Sequence, residues 1–173
     1  KLGKDKRKSL NMAWEYDGHP FNSVNSRPWM GPKFWCPDMQ SSYDGNNYKV
    51  FRYADAILMI AECYNELGDD AKSVEYLNKT RNRAGLGDYT YRTSARLQDE
   101  IRNERARELF GEFQRKYDLV RWGIWYQSVM DYSDYQTLVN NLVPCREYYP
   151  IPDKEVVYSG YALDNNEYKR YGL

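Results

Sequence analysis

The stretch FRYADAILMIAECYNELGDDAKSVEYLNKTRNRAGL, residues 51–86, predicts two helices joined by a three-residue corner. Apolar side chains recur at helical spacing through the first helix, at Tyr53, Ala54, Ile57, Leu58, Ile60, Ala61, Tyr64 and Leu67. So broad a stripe predicts a helix that is covered on most of its sides. Gly68 is placed to end this helix in the left-handed conformation, and Asp69 or Asp70 to cap the next one.

The second helix is expected to run from about residue 71 to residue 83, with Val74, Tyr76 and Leu77 inward and Gly85 closing it. The segment AECYNELGDDAKSVEYLNKT resembles a tetratricopeptide unit. Such units bury their apolar faces on neighbouring copies, and about three are needed for stability. Because one clear copy is present, we expect further repeats outside these 173 residues.

A third helix is expected to start at residue 93 or 94 and to carry the apolar side chains of Leu97, Ile101, Leu109, Phe110 and Phe113. Arg105 falls on the same stripe, where a cation is costly unless it is paired. Carboxylates are available for pairing at Glu104, Glu108, Glu112 and Asp118, and Arg81 and Arg83 could join them. The pattern favours a partly buried ionic network, and a solvated helix with i to i+4 pairs is the alternative. Carboxylates beside arginine stay ionised in either case, which makes them poor general acids.

The composition excludes some function classes and favours others. Lys plus Arg number 25 and Asp plus Glu number 25, so the formal net charge is zero. The cation surplus that nucleic-acid binding needs is therefore missing. Aromatic residues make up 16% of the chain, with 18 Tyr and 5 Trp. Flat rings with polar edges suit wet binding surfaces, sugar rings included, although many rings of this kind simply fill cores.

The residues that usually ligate metals are few. Cys36, Cys63 and Cys145 show no metal-binding spacing, and His19 is the one histidine. Cys63 is expected in the core of the first helix, while a disulfide between Cys36 and Cys145 is left open. No stretch reaches the roughly 18 apolar residues of a membrane helix, and the first residues lack a signal-peptide pattern. We expect no metal site and no cofactor.

Five motifs occur in order: FRYADAILMIAE, LNKTRNRAGL, IRNERARELFGEFQRKYDLVRWG, YYPIP and ALDNNEY. Together they resemble the C-terminal region of the SusD/RagB family over roughly residues 48–168. The resemblance implies a mainly α fold, in which a tetratricopeptide-like helical hairpin scaffold carries long irregular loops. It also implies an outer-membrane lipoprotein of Bacteroidetes that binds glycans or other nutrients, works beside a TonB-dependent, SusC-like transporter and is not an enzyme. The ending DNNEY departs from the usual close of the family, and the lipidated cysteine and most of the repeats are not among these residues.

A single domain of this family would divide into three stretches. Residues 1–48 are the loop-rich ligand region, residues 49–125 the helical scaffold, and residues 126–173 a helix and a C-terminal strap. The positions that match family motifs have an expected structural, ion-pairing or packing role: Arg52, Glu62, Arg81, Arg83, Glu104, Arg105, Glu108, Arg115, Asp118, Arg121 and Trp122.

Ligand contacts are expected in the loop-rich stretch. Rings that can stack on a sugar are supplied by Trp14, Tyr16, Trp29, Trp35 and Tyr43. Polar groups for the sugar hydroxyls are supplied by Asp17, His19, Asn22, Asn25, Arg27, Asp38 and Asn46. The alternative is that these aromatic side chains only anchor the loop to the scaffold.

Catalytic patterns are weak. No pair of carboxylates stands out as a glycosidase pair, and His19 lies beside Pro20 without a nucleophile motif. A phosphate-binding glycine loop is missing, and YDGNN lacks the acids of a calcium loop. We therefore predict a non-catalytic surface protein that captures a glycan or another nutrient and passes it to a transporter. The alternative is a tetratricopeptide-like interaction scaffold that binds no sugar.

Overall fold

The computed structural model describes residues 4–16, 18–20, 29–36 and 47–173. These residues form two compact units, Lys1–Arg115 and Lys116–Leu173. The fold is mainly helical, which confirms the predicted fold class. The helices are α1 (Arg7–Asn11), α2 (Tyr53–Glu66), α3 (Asp70–Ala84), α4 (Ser94–Glu108), α5 (Arg115–Arg121), α6 (Trp125–Tyr132), α7 (Gln136–Asn140), α8 (Asp153–Tyr158) and α9 (Asn166–Arg170).

Helices α2 and α3 form the predicted hairpin, and local chemistry sets its corner. Gly68 adopts a φ of 80° after the last turn of α2, and the Asp69 N–H donates to the Tyr64 carbonyl at 2.9 Å. This pattern closes α2 as a Schellman motif. The Asp69 carboxylate then accepts from the Lys72 N–H at 3.1 Å and caps α3. Helix α3 ends in the same way, with Gly85 at a φ of 85°.

Helices α2, α3 and α4 enclose one apolar core. Its fully buried side chains are Leu58, Ala61, Leu77, Leu97 and Ile101, with Val74, Tyr76 and Tyr89 partly buried around them. At the crossing of α2 and α3, the Ser73 hydroxyl donates to the Ala61 carbonyl at 2.7 Å. Small residues at this point let the two helices approach closely while the serine hydroxyl stays hydrogen-bonded.

Some apolar side chains that the sequence placed inside are exposed. Tyr53, Met59 and Leu67 project from the side of α2 opposite Leu58, and Cys63 lies on the same outer side as an exposed, free thiol. The expectations that α2 is covered on most sides and that Cys63 is a core residue are therefore wrong for this chain, because α3 and α4 cover one side only.

The expectation that Phe110 and Phe113 continue the apolar stripe of α4 is also wrong. Helix α4 ends at Glu108, and the chain then turns with a φ of 74° at Gly111 and 59° at Phe113. Because the helical spacing stops at this turn, Leu109 stays buried while both phenylalanine rings are exposed.

The segment before α2 packs on the hairpin through short elements. Strands β1 (Met12–Ala13) and β4 (Trp29–Met30) pair antiparallel, and β2 (Glu15–Tyr16) pairs with β3 (His19–Pro20). A 3₁₀ helix, Pro32–Phe34, follows β4. The Lys6 N–H donates to the carbonyl of Ala84 at 3.0 Å, which joins this segment to the end of α3.

Gly31 allows the close approach within that segment. An added Cβ there would lie 2.4 Å from the Leu10 carbonyl oxygen and 2.7 Å from the Met12 nitrogen. Only a residue without a side chain fits this space, so α1 and the 3₁₀ helix can pack backbone to backbone.

The second unit is made of short helices with few buried side chains. Leu119 and Trp125 are buried. The Asn165 side chain donates to the carbonyl of Ile151 and accepts from its N–H, both at 2.8 Å, which ties the chain after α8 to the Pro-Ile-Pro stretch. Along the described residues, no helix has both the length and the apolar character needed to cross a membrane. The three stretches predicted from sequence character, 1–48, 49–125 and 126–173, stay a prediction.

Candidate ligand-binding site

A cluster of buried charges joins the N-terminal segment to the second half of α4. We call it the ionic cluster, and it comprises Asp5, Arg7, Lys33, Arg52, Arg83, Glu104, Glu108 and Glu112. Glu104 is completely buried. Arg7 Nη1 donates to Glu104 Oε1 at 2.8 Å and to Glu108 Oε2 at 3.1 Å, and Arg7 Nη2 donates to Asp5 Oδ2 at 2.8 Å. One guanidinium thus binds three carboxylates.

Arg52 and Lys33 complete the other end of the ionic cluster. Arg52 binds both carboxylate oxygens of Glu112, with Nε to Oε2 at 2.8 Å and Nη2 to Oε1 at 2.7 Å. Its Nη1 donates to Glu108 Oε1 at 3.0 Å. Lys33 pairs with Glu112 and donates to the Glu108 carbonyl at 2.7 Å. Bidentate pairing of this kind fixes geometry as well as charge.

These contacts hold the carboxylates ionised. Burial alone raises the pKa of Glu108, but the guanidinium groups of Arg83 and Arg52 outweigh it and keep the pKa below its usual value. Burial likewise raises the pKa of Glu112, and Arg52 and Lys33 bring it below the usual value. A general acid needs the opposite shift, so neither group is suited to donate a proton at neutral pH.

The other predicted ion-pairing residues differ in how they relate to the ionic cluster. Arg105 Nη2 lies 2.8 Å from Asp55 Oδ1, and both side chains are buried. The sequence pattern had named other carboxylates for Arg105. Arg81 pairs with Glu100, which Arg107 links to Glu104 of the ionic cluster. Arg83 pairs with Glu108 inside the ionic cluster. Arg115 Nη1 donates to the Arg102 carbonyl at 3.3 Å, and Arg121 lies 3.0 Å from Asp118.

Sequence reasoning missed Asp5, Arg7 and Lys33 as members of the ionic cluster. Arg7 is 97 and 101 residues away from the two glutamates it binds. No periodicity connects positions so far apart. One available signal was that Glu104 and Glu108 recur at helical spacing beside the apolar stripe of α4.

Three of the predicted ligand-binding residues have side chains that the structure describes, and all three are exposed. Trp14 is exposed, and its Nε1 donates to the Lys8 carbonyl at 3.3 Å. Trp35 and His19 are also exposed, Trp35 after the 3₁₀ helix and His19 in β3. Tyr16 lies in β2 and Trp29 in β4. Several candidates fall outside the described residues: Tyr43, Asp17, Asn22, Asn25, Arg27, Asp38 and Asn46.

An aromatic cavity of about 390 Å³ opens directly above the ionic cluster. Its lining consists of Lys33, Phe34, Asn47, Tyr48, Lys49, Arg52, Gly111, Glu112 and Phe113. Arg52, Glu112 and Lys33 are shared with the ionic cluster and form the floor. Such a combination of apolar walls and a few fixed polar groups is typical of small-molecule sites. We call this space the Tyr48 cavity.

Two rings form the wall of the Tyr48 cavity. The centroids of Tyr48 and Phe113 are 6.0 Å apart at an interplanar angle of 46°. The Tyr48 hydroxyl donates to the Glu112 carbonyl at 3.1 Å, and Gln114 Nε2 donates to the Val50 carbonyl at 3.1 Å. These bonds fix residues 48–50 against the turn after α4, so the Tyr48 ring is held in place before any ligand arrives.

Phe113 is conformationally unusual. Its φ of 59° lies in the left-handed region, which costs a bulky residue about 1–3 kcal/mol. Its ring is nonetheless 76% exposed, so burial offsets little of that cost. Within the described part of the chain, no group of three His, Cys, Asp or Glu side chains is placed to hold a metal. The Tyr48 cavity thus combines the aromatic faces of Tyr48 and Phe113 with the ion-paired side chains of Lys33, Arg52 and Glu112.

The helical hairpin, the core and the order of motifs define a tetratricopeptide-like scaffold protein. The family model described as "SusD family" matches residues 5–168, and the chain belongs to this family. The chain is 36% identical over 183 residues to SusD-like protein P25 of Formosa agariphila, covering 95% of this chain and 33% of that protein. It is 28% identical to the starch-binding protein SusD of Bacteroides thetaiotaomicron, covering 77% of this chain and 24% of that protein.

Two crystal structures show the same fold. A SusD superfamily protein from Bacteroides vulgatus superposes with a TM-score of 0.68 at 30% identity, covering 88% of this chain and 37% of that one. A SusD homolog from Bacteroides thetaiotaomicron gives a TM-score of 0.68 at 32% identity, covering 91% and 34%. The chain thus spans about a third of the length of these relatives.

Proposed function

We propose that the protein containing this chain is a non-catalytic binding protein on the surface of the outer membrane, which captures glycans or other nutrients for a TonB-dependent, SusC-like transporter. Membership of the SusD family over residues 5–168 carries the proposal. We infer the transporter partner, and a lipid anchor that would hold the protein at the membrane, from the resemblance to the family.

The Tyr48 cavity supports capture as the task of this region. Sugar rings bind by stacking their C–H faces on aromatic side chains while their hydroxyls meet polar groups. The Tyr48 and Phe113 rings supply the faces, and Asn47 supplies an amide at the edge. The ionised state of Glu108 and Glu112 argues against acid catalysis at the same place.

A titration calorimetry panel of neutral and acidic oligosaccharides tests the proposal. Phe113→Gly is the informative variant, because glycine adopts a φ of 59° without strain and the fold is kept while the ring is lost. We expect the variant to lose about tenfold or more in affinity, as for loss of a stacking face. Tyr158→Ala, an exposed ring of the second unit, is the matched control and should bind as the parent does.

The second candidate function is that of an interaction scaffold. It is favoured by the exposed apolar side of α2, which carries Tyr53, Met59 and Leu67. Under this alternative, no oligosaccharide of the panel binds, whereas a transporter chain co-purifies with the protein and is released by Tyr53→Ser with Leu67→Ser. Release of reducing sugar by pure protein would contradict both candidates.

A further inference from the structure

The floor of the Tyr48 cavity is already neutralised. Its two cations, Lys33 and Arg52, are matched by Glu112 and by Glu108 beneath it. Arg52 donates to both of these carboxylates, and Lys33 donates to the Glu108 carbonyl as well. The floor therefore holds its shape without offering a charge to a ligand.

Lys49 differs from the two cations of the floor. It lines the same cavity, next in sequence to the Tyr48 ring, and its side chain is exposed. Within the residues that the structure describes, no hydrogen bond or ion pair ties its ammonium to another group. The charges of the floor cancel, whereas no carboxylate of the described residues pairs with Lys49 to balance its charge. Lys49 therefore attracts an anionic ligand to the side of the aromatic wall.

We propose that the Tyr48 cavity takes a sugar residue bearing an anionic group, a carboxylate or a sulfate ester, which Lys49 binds while the Tyr48 and Phe113 rings hold the sugar face. This inference rests on the proposed function and narrows it to acidic glycans. The geometry supports the division of tasks. The Tyr48 ring is fixed by its hydrogen bond to the Glu112 carbonyl at 3.1 Å, whereas the long side chain of Lys49 remains able to reach the anion.

The volume of the cavity fits a small part of a glycan. About 390 Å³ lies near the lower end of the range for small-molecule sites. Stacking on the rings does not depend on charge, so a neutral sugar also enters the cavity, but without the charge-assisted hydrogen bond to Lys49. Acidic and neutral ligands should therefore differ in affinity by the contribution of one such bond.

The test is titration calorimetry of the protein with three tetrasaccharides: an oligogalacturonide, a sulfated galactan fragment and maltotetraose. We expect the acidic ligands to bind about tenfold tighter than the neutral one at low salt, with the advantage shrinking as ionic strength rises. Binding of one acidic ligand alone would assign the anion as carboxylate or sulfate, and either result supports the proposal.

Lys49→Gln supplies the decisive variant, because it removes the charge and leaves a polar side chain that is shorter by about one bond. Its acidic and neutral affinities should agree within about twofold, while Lys154→Gln, an exposed lysine of the second unit, should preserve the difference. Equal affinity of the parent for acidic and neutral ligands, or a preference that survives Lys49→Gln, overturns the inference and leaves glycan capture standing. If none of the tetrasaccharides binds, the proposed function fails with it.

Discussion

Helix α4 is held by apolar contacts in its first half and by charges in its second. Leu97 and Ile101 are completely enclosed by α2 and α3, whereas Glu104 and Glu108 bind Arg7 from a segment 97 and 101 residues away. Apolar burial is non-directional and tolerates small shifts. Bidentate ion pairs fix position and orientation. The apolar half thus makes the hairpin stable, and the charged half sets where the N-terminal segment and the Tyr48 cavity lie.

We expect the largest loss in the free energy of unfolding when an ion pair in the second half of α4 is removed. Glu104→Ala removes a completely buried carboxylate that binds Arg7 and Arg107, and leaves the buried Arg7 guanidinium with Asp5 and Glu108 alone. We expect a loss of about 3–5 kcal/mol in the free energy of unfolding, measured by urea denaturation. The double variant Arg7→Met with Glu104→Leu should recover only part of the loss, because the buried carboxylate of Asp5 also loses its partner Arg7. A loss below 1 kcal/mol in the single variant would contradict the assigned role of the cluster.

Leu97→Ala breaks the apolar half about two helical turns before Glu104, the first residue of α4 in the ionic cluster. The side chain is fully buried in the core, so we expect a loss of about 3 kcal/mol. The loss relative to the parent should be nearly the same at pH 7 and at pH 4, since Leu97→Ala touches no ionised group. A loss that changes between these two pH values would remove the distinction between the halves.

Gly31→Ala tests the docking of the N-terminal segment without touching a charge. The added methyl group would meet the Leu10 carbonyl at 2.4 Å, and we expect a destabilisation of about 1–3 kcal/mol from the displaced backbone. Hydrogen exchange should rise in residues 7–13 and stay unchanged in α3. Gly18→Ala is not an equivalent control because of its φ of 73°, whereas Ser9→Ala, exposed on α1, is one.

The smallest effect is expected at the corner of the hairpin. Asp69→Ala removes the carboxylate that accepts from the Lys72 N–H, which should cost about 1 kcal/mol. Asp69→Asn keeps an acceptor and should retain most of the stability in the same urea titration. If the asparagine variant loses as much as the alanine variant, the Lys72 ion pair rather than the cap carries the effect.

Sequence reasoning reached the hairpin because its signals are local. The spacing of Leu58 and Ala61, the glycine at 68 and the cap at Asp69 all act within a few residues of one another. It overestimated burial at Cys63, since periodicity shows that a helix has an apolar side but not what covers that side. The Tyr48 cavity was missed because its lining comes from three separated stretches, and the turn at Phe113 breaks the helical spacing.

Hydrogen exchange as a function of pH tests the central claim most directly. The pKa values of Asp5, Glu108 and Glu112 lie below their usual values in the folded protein. Their stabilising contribution is complete above about pH 4.5 and is lost as the pH falls through the lowered pKa values. After correction for intrinsic exchange rates, the account predicts that residues 5–13 lose protection at a higher pH than the core amides of Leu58, Leu77 and Ile101. Loss of protection in both regions at one pH, or greater persistence of residues 5–13, would contradict it.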